Sequence, residues 1–466
     1  MFFDNTVAAA TPQHELADQL QGDLFLPETP GYDEARLAWN RAVDQYPALI
    51  VVAHGTADVV AAVRYADAHA LKIAVQSTGH GVHRAADGAL LIVTARMTDV
   101  QVDDAAQTAW VEAGAEWGMV LEKTQAVGLA PLLGSSPNVG VIGYTLGGGM
   151  GWLARQYGLA TDSVQRFEVV TADGQVRTVS RNEHPDLFWG LRGGGGSLAV
   201  ITGMEIQLYP VTTVYGGNLI YPASMAREVI LRYREWIKDA PDALTSSFAI
   251  MNFPPIPDVP DFLRGKSVIM VRGCYTGSVE EGEALIRPWL EWQAPLANLF
   301  GPLPFSQVAM ISNDPLDPMP AMSSGAWLRE LSDAAIDTIV RYALPHDDAP
   351  VLTMTEVRHA GGAISRVPMS ESPIGHRDAT HVLLLVAATP TPEAHHHASA
   401  YAIRFKEELQ PALDGIYLNF LDGPEARTRT RDAYALESYL WLRRLKAKYD
   451  AQDRFCHSFD IRPLQS

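Results

Sequence analysis

Cysteine is nearly missing from this chain: 466 residues hold two, Cys274 and Cys456. Two thiols make neither a disulfide framework nor a four-ligand zinc site, and their spacing fits no redox motif. Basic residues are scarce as well. Lys and Arg number 36 against 54 Asp and Glu, a formal net charge of -18. Such a chain is poorly suited to nucleic acid or an anionic membrane, and no basic cluster offsets the deficit. Long apolar runs are absent too. No stretch reaches about 18 apolar residues, so no membrane span is expected. The opening MFFDNTVAAATPQHELADQL lacks the basic and apolar regions of a signal peptide, so a reducing cytoplasm is the expected compartment. His395, His396 and His397 fall in a helical stretch and point three ways, so they make no metal site, and no metal is expected elsewhere.

The composition, 47% hydrophobic and 19% charged, is that of a folded globular chain. The length suggests two or three lobes. Residues 1–45 read as helix, turn and helix, with YDEARLAWNRAVD (32–44) near helical spacing. PALIVVAHGTADVVAAVRYADAHALKIAVQSTG reads as strand, capped helix and strand, a β-α-β unit with Thr56 or Asp58 near the helix start. GALLIVTARM and TAWVEAGA are strand candidates, and EWGMVLEKTQAVG is a helix ended by Gly128. FEVVTADGQVRTVS is a hairpin turning at Asp173-Gly174. The character changes near Pro210. Beyond it, strands such as SFAIMNF, SVIMVRGCYTG and HVLLLVAAT interleave with helices without a parallel repeat. That pattern predicts an antiparallel sheet covered by helices. FPPIPDVPDF and NDPLDPMPAM are proline-rich loops and candidate lids.

Glycine is concentrated instead. Residues 134–159, GSSPNVGVIGYTLGGGMGWLARQYGL, hold eight glycines, and Gly193 to Gly196 form a second run. One short pattern, Gly149-x-Gly151-x-x-Ala154, fits a dinucleotide fingerprint. It stands behind a β-α-β unit instead of opening one, and a hairpin follows where a crossover helix is needed, so it carries little weight. A wider set is more specific. VQSTGHG (75–81) follows a strand, the two glycine runs come after it, and YLNF (417–420) and YDAQDRF lie in the tail. Successive backbone N–H groups at Thr78, Gly79, His80 and Gly81 suit pyrophosphate oxygens, and Ser77 adds a hydroxyl.

This ordered set resembles the berberine-bridge-enzyme-like branch of the vanillyl-alcohol-oxidase flavoprotein superfamily. The resemblance implies a two-lobed α+β fold. Residues 1–212 would form the FAD-binding domain (PCMH-type core about 43–212), 213–415 an antiparallel-sheet substrate domain, and 416–466 a segment returning to the first. It implies FAD held by Gln76, Ser77, Thr78, Gly79, His80 and Gly81. From the long glycine run it adds Ser135, Ser136, Val139, Gly140, Gly143, Tyr144, Gly147, Gly148, Gly149 and Gly151. Ala199, Val200, Tyr417 and Asn419 complete the set.

In the resembled family a histidine in the place of His80 is commonly bonded to the flavin 8α-methyl group. A second bond comes from a cysteine before the proline of G-x-C-P-x-V-G, where this chain has Ser136. A hydroxyl is a far weaker nucleophile than a thiolate near neutral pH, so one covalent bond is expected, through His80 only. Val139 stands at the family's oxygen gate, where a small side chain accompanies oxygen access. The family's tail motif Y-x-N-Y often supplies a tyrosine base, but here it ends in Phe420. Tyr417 remains a flavin-side or substrate-orienting residue. TMTEVRHAGGA puts Glu356 and Arg358 on one side of a strand and His359 on the other. His359 is the alternative base by ordinary pKa, while Glu356 and Arg358 form either an ion pair or part of the catalytic set. The expected activity is removal of hydride from an alcohol or amine CH–X group of a small organic substrate, with O2 reoxidising the flavin to give H2O2. The alternative is a flavin-dependent dehydrogenase or an oxidative tailoring or cyclising enzyme of secondary metabolism, oligosaccharide and polyketide substrates included.

Overall fold

The computed structural model describes residues 12–82, 84–344 and 350–465. Three sheets organise these residues. Leu49–Val52 and Leu90–Val93 are apolar at every position and fully buried, as strands covered on both faces must be. They run parallel to each other, and Ile73–Gln76 runs parallel to Leu90–Val93. Asp23–Phe25 adds an antiparallel edge to Leu49–Val52. The predicted strand-helix-strand unit is present, with the helix at Thr56–Ala68. Its two strands are not neighbours, however, because Leu90–Val93 lies between them. Asp58 serves the loops before the helix. Its carboxylate accepts from the Gln21, Gly22 and His54 N–H groups at 2.8, 3.0 and 2.8 Å.

A five-stranded antiparallel sheet follows, ordered Val100–Asp103, Thr108–Glu112, Val200–Gln207, Val164–Val170 and Val176–Ser180. The Asp173-Gly174 turn joins its last hairpin, with Gly174 at φ +67°. The third sheet has nine strands, all antiparallel, from Thr213–Pro222 to Leu413–Gly415. Helices Ala226–Trp236, Asp333–Ala343 and Pro392–Glu408 cover it. Tyr233 meets Phe248 edge-on at 5.3 Å, and Phe405 stacks on Tyr342 at 4.7 Å. Each large side chain buried on that face contributes roughly 1.5–3 kcal/mol. The opposite face carries Arg272, Ser247, Glu356 and Arg358, and it looks toward the long glycine run. The α+β class expected from sequence is the class observed.

The tail packs against residues of the first two sheets. Helix Leu436–Tyr449 ends near Lys446, which is fully buried and donates to Asp450 at 2.6 Å and to the Ser197 carbonyl at 2.8 Å. The Ile73 N–H donates to the Arg454 carbonyl at 2.8 Å. One expectation fails. The helix predicted over 32–44 is helical only at Tyr32–Ala35. Beyond it the Trp39 and Asn40 N–H groups donate to the Thr78 and Gly79 carbonyls at 3.0 and 3.1 Å. Those tertiary bonds outweigh a weak helical propensity.

Candidate functional site

The loop after Ile73–Gln76 is built around His80. Its imidazole stacks on Trp39, with ring centroids 4.2 Å apart and planes 14° apart. Thr78 Oγ1 lies 2.9 Å from His80 Nδ1, and His80 Nε2 is buried with no hydrogen-bond partner among the described residues. Burial lowers the imidazole pKa to about 4, against a smaller opposite pull from Asn138. The ring is therefore neutral near pH 7. Gly79 sits at φ +80°, where a Cβ would lie 2.7 Å from Ala38 Cα, so only glycine fits this turn. Gln76 is engaged by the protein itself, accepting from Gln45 at 2.8 Å and donating to the Leu37 carbonyl at 2.9 Å. Gly81 is exposed at the rim.

The long glycine run crosses this loop at Gly140, where a Cβ would meet Ser77 Oγ at 3.0 Å. Ser136 donates to Asn138 Oδ1 at 2.7 Å, and Asn138 Nδ2 donates to the Leu316 carbonyl at 2.6 Å. The same carbonyl accepts from Trp39 Nε1 at 2.9 Å. The second proline-rich loop thus closes over the His80 niche from the far lobe. Val139 is half-buried, and its carbonyl accepts from the Trp117 N–H at 3.1 Å. Gly140 precedes the short helix Val141–Leu146, and Gly143 on that helix faces open space.

The later glycines have a different reason from the one expected. At Gly147 a Cβ would lie 1.9 Å from Asn419 Oδ1, and at Gly149 (φ +82°) it would lie 2.5 Å from the Tyr144 ring. Those spaces are taken by this chain's own side chains. Tyr417 makes the other half of the join. Its hydroxyl accepts from the Gly149 and Met150 N–H groups at 3.0 and 2.9 Å. Asn419 donates to the Tyr144 carbonyl at 2.9 Å. Burial pushes the Tyr417 phenol up to about 12, with Arg358 pulling the other way. Gly148 lies against Tyr417 as well, and Gly151 packs on the Leu133 carbonyl. Ala199 and Val200 are buried where the strand Val200–Gln207 leaves the second glycine run.

Across the cleft, register aligns Arg272, Ser247 and Arg358 on three adjacent strands. Glu356 has no exposed surface and is paired with Arg358 at 2.8 Å and Arg272 at 3.2 Å. Ser247 donates to it at 2.8 Å. Burial alone would raise its pKa, but Arg358 and Arg272 bring it down to about 2. Arg358 also donates to the Met150 carbonyl at 3.1 Å and lies over the Phe420 ring. His359 points the other way along its strand. It is buried beside His381, and its Nε2 is 3.1 Å from Arg155 Nη1. Burial, then Arg155, then His381 lower its pKa to about 2. Between the glycine run and the sheet lies a narrow cleft lined by Ser135, Met150, Gly151, Trp152, Thr245, Ser246 and Arg358.

These residues fit a flavin nucleotide. Four buried polar atoms lack partners among the described residues and belong to the loop, the glycine run and the cleft: Ser77 Oγ, His80 Nε2, Tyr144 OH and Trp152 Nε1. The sheltered, neutral imidazole with a free Nε2 suits the edge of a flat apolar ring. No group of three or more His, Cys, Asp or Glu residues that could hold a metal ion occurs among the described residues.

Residues 47–180 match the FAD binding domain family. Over 96% of its length the chain is 28% identical to an uncharacterized FAD-linked oxidoreductase of Bacillus subtilis, 98% of which is covered. The chain is an FAD-linked oxidoreductase. It is also 28% identical to the (R)-6-hydroxynicotine oxidase of Paenarthrobacter nicotinovorans, over 95% of this chain and 97% of that one. The structure of BBE-like 1 of Physcomitrella patens superposes with a TM-score of 0.84 at 22% identity, covering 98% of this chain and all of that one. This flavoprotein therefore has the fold expected from its motifs.

Sequence reasoning missed several neighbours of the site. Trp39 left no signal, because its partner His80 lies far along the chain. Asn138 stood inside the quoted glycine run, two places after Ser136, and was legible as a polar neighbour. Arg155 joins the lobes, donating to the Leu244 carbonyl at 2.9 Å and the Ala240 carbonyl at 3.2 Å. Among the described residues no helix is long and apolar enough to cross a membrane.

Proposed function

We propose that this flavoprotein is an oxidase with FAD bonded to His80 alone. It removes hydride from an alcohol or amine CH–X group of a small organic substrate. When bound, FAD supplies the hydride acceptor and the route of the electrons to O2, which leaves as H2O2. The observation that carries the reading is the unpartnered Nε2 of a neutral, stacked imidazole in the His80 niche. With Nδ1–H donating to the Thr78 hydroxyl, the free lone pair falls on Nε2, the atom that would hold the 8α carbon. Ser136 forms no second bond, since its hydroxyl is weakly nucleophilic and already donated to Asn138.

Tyr417 and Asn419 fix the glycine run against the tail and so hold the floor of the site. Glu356 keeps Arg358 in place at the cleft wall. His359 is not the base in this reading, because it lies on the opposite side of its strand from the cleft, buried against Arg155 and His381. Glu356 is taken up by Arg358, Arg272 and Ser247, and the Tyr417 hydroxyl by two backbone N–H groups, so neither stands free as a base. That favours a substrate whose neutral form gives up hydride directly, such as an amine. The relative named for an oxidase of a hydroxynicotine agrees with this class.

The test is peroxide release from a panel of alcohols, amines, oligosaccharides and polyketides. A peroxide-producing substrate with flavin reoxidised in air is expected. Reduced flavin that persists in air after substrate addition contradicts the oxidase reading and points to a dehydrogenase. Val139→Leu should slow reoxidation by about tenfold, a barrier change of about 1.4 kcal/mol, without slowing flavin reduction. Stopped-flow half-reactions separate the two steps.

A further inference from the structure

The cleft wall holds more positive charge than the protein neutralises. Two guanidinium groups, Arg272 and Arg358, face one carboxylate, Glu356, and all three are largely or wholly buried. Glu356 is already saturated, with Ser247 and Arg272 on Oε1 and Arg358 on Oε2. Arg272 is turned into a nest of methionine sulfurs, 3.9 to 4.0 Å away on Met354, Met251 and Met270. Arg358 instead lines the cleft. Its Nε goes to Glu356 and its Nη1 to Met150, while Nη2 donates to nothing among the described residues. Asp314, the other acid that acts on Arg358, forms no ion pair with it. Trp152 lines the same cleft, and its buried Nε1 also lacks an acceptor. Donors therefore outnumber acceptors in a small, partly apolar space. The complementary ligand is an acceptor with negative charge, and guanidinium is the side chain best shaped for a planar oxyanion.

We propose that Arg358 selects the substrate class: the cleft takes a small molecule carrying a carboxylate or similar planar oxyanion, bound through Arg358 Nη2 beside the Trp152 indole N–H. This inference rests on the oxidase reading and narrows its substrate. The polar edge of the flavin ring is the competing acceptor for the same donor, and the test separates the two.

The holoenzyme is titrated with acetate, benzoate and the neutral benzamide, and binding is followed by perturbation of the flavin absorption spectrum. Benzoate is expected to bind about tenfold or more tightly than benzamide, as a charge-assisted bond requires. Arg358→Gln should remove that preference and leave benzamide unaffected, and Arg358→Lys should restore part of it. Trp152→Phe, which keeps an aromatic ring and leaves the ion-pair network alone, should weaken benzoate more than benzamide. Equal affinity for benzoate and benzamide in the unaltered enzyme overturns the proposal, as does no binding of either carboxylate. Unchanged benzoate binding in Arg358→Gln with a lowered flavin reduction potential assigns the donor to the cofactor and overturns it too. None of these readouts needs turnover, so failure of the oxidase reading shows separately, as absence of peroxide.

Discussion

At the residue scale, the site depends on single side chains holding backbone in unusual places. Tyr417 is the clearest case, because one phenol oxygen satisfies two N–H groups of the glycine run. Tyr417→Phe strands both in a buried place, at a cost of about 1–3 kcal/mol per group. The expected outcome is a lowered melting temperature with the flavin still attached. Equal melting of variant and parent would mean that the run is held by other contacts. His80, Ser136 and Val139 drew attention only through the family resemblance; the contacts His80 makes with Trp39 and Ser136 makes with Asn138 come from the fold. The role of Gly147 and Gly149 was not legible. Their lack of side chains reads as room for a ligand, yet Asn419 and Tyr144 fill that room, and those contacts join residues far apart in sequence.

At the element scale, the antiparallel register of three strands assembles the Arg272–Glu356–Arg358 network. Alternation along Met354–His359 was enough to place Glu356 and Arg358 together and His359 apart. It could not supply Arg272, which comes from a strand elsewhere in sequence. Glu356→Gln leaves two buried guanidinium groups without a counter-charge, and removal of one partner of such a network costs about 3–5 kcal/mol. Chemical denaturation should read a loss of that order, and a loss near zero would show the network to be solvated. The parallel sheet teaches a related limit. Its strands were visible as apolar runs, but the insertion of Leu90–Val93 between the two strands of the predicted unit is a matter of chain path, which periodicity does not encode.

At the scale of the whole molecule, acid stability follows from groups buried in one charge state. Burial keeps His359 and His381 neutral, with pKa values down at about 2 and about 3 from an ordinary 6.5. The unfolded chain takes up those protons first, so the stability they contribute is complete above about pH 6.5 and is lost as the pH falls. Glu356 adds a second loss below its ordinary 4.5, continuing toward about 2. Melting temperature should therefore decline from about pH 6.5 downward, more steeply below about pH 4.5. His381→Gln should flatten the upper part of that decline. The change of character near Pro210 falls just before the first strand of the nine-stranded sheet, at Thr213. The contacts that close the lobes together, Arg155 on the Leu244 carbonyl and Leu316 over Trp39 and Asn138, had no sequence signal.

One bond, from His80, is proposed to hold the FAD. Acid precipitation of the purified protein tests it most directly, with His80→Ala treated alongside. A yellow, flavin-fluorescent pellet is expected from the parent and free flavin in the supernatant from the variant. Free flavin from the parent, or a yellow pellet from His80→Ala, would contradict it.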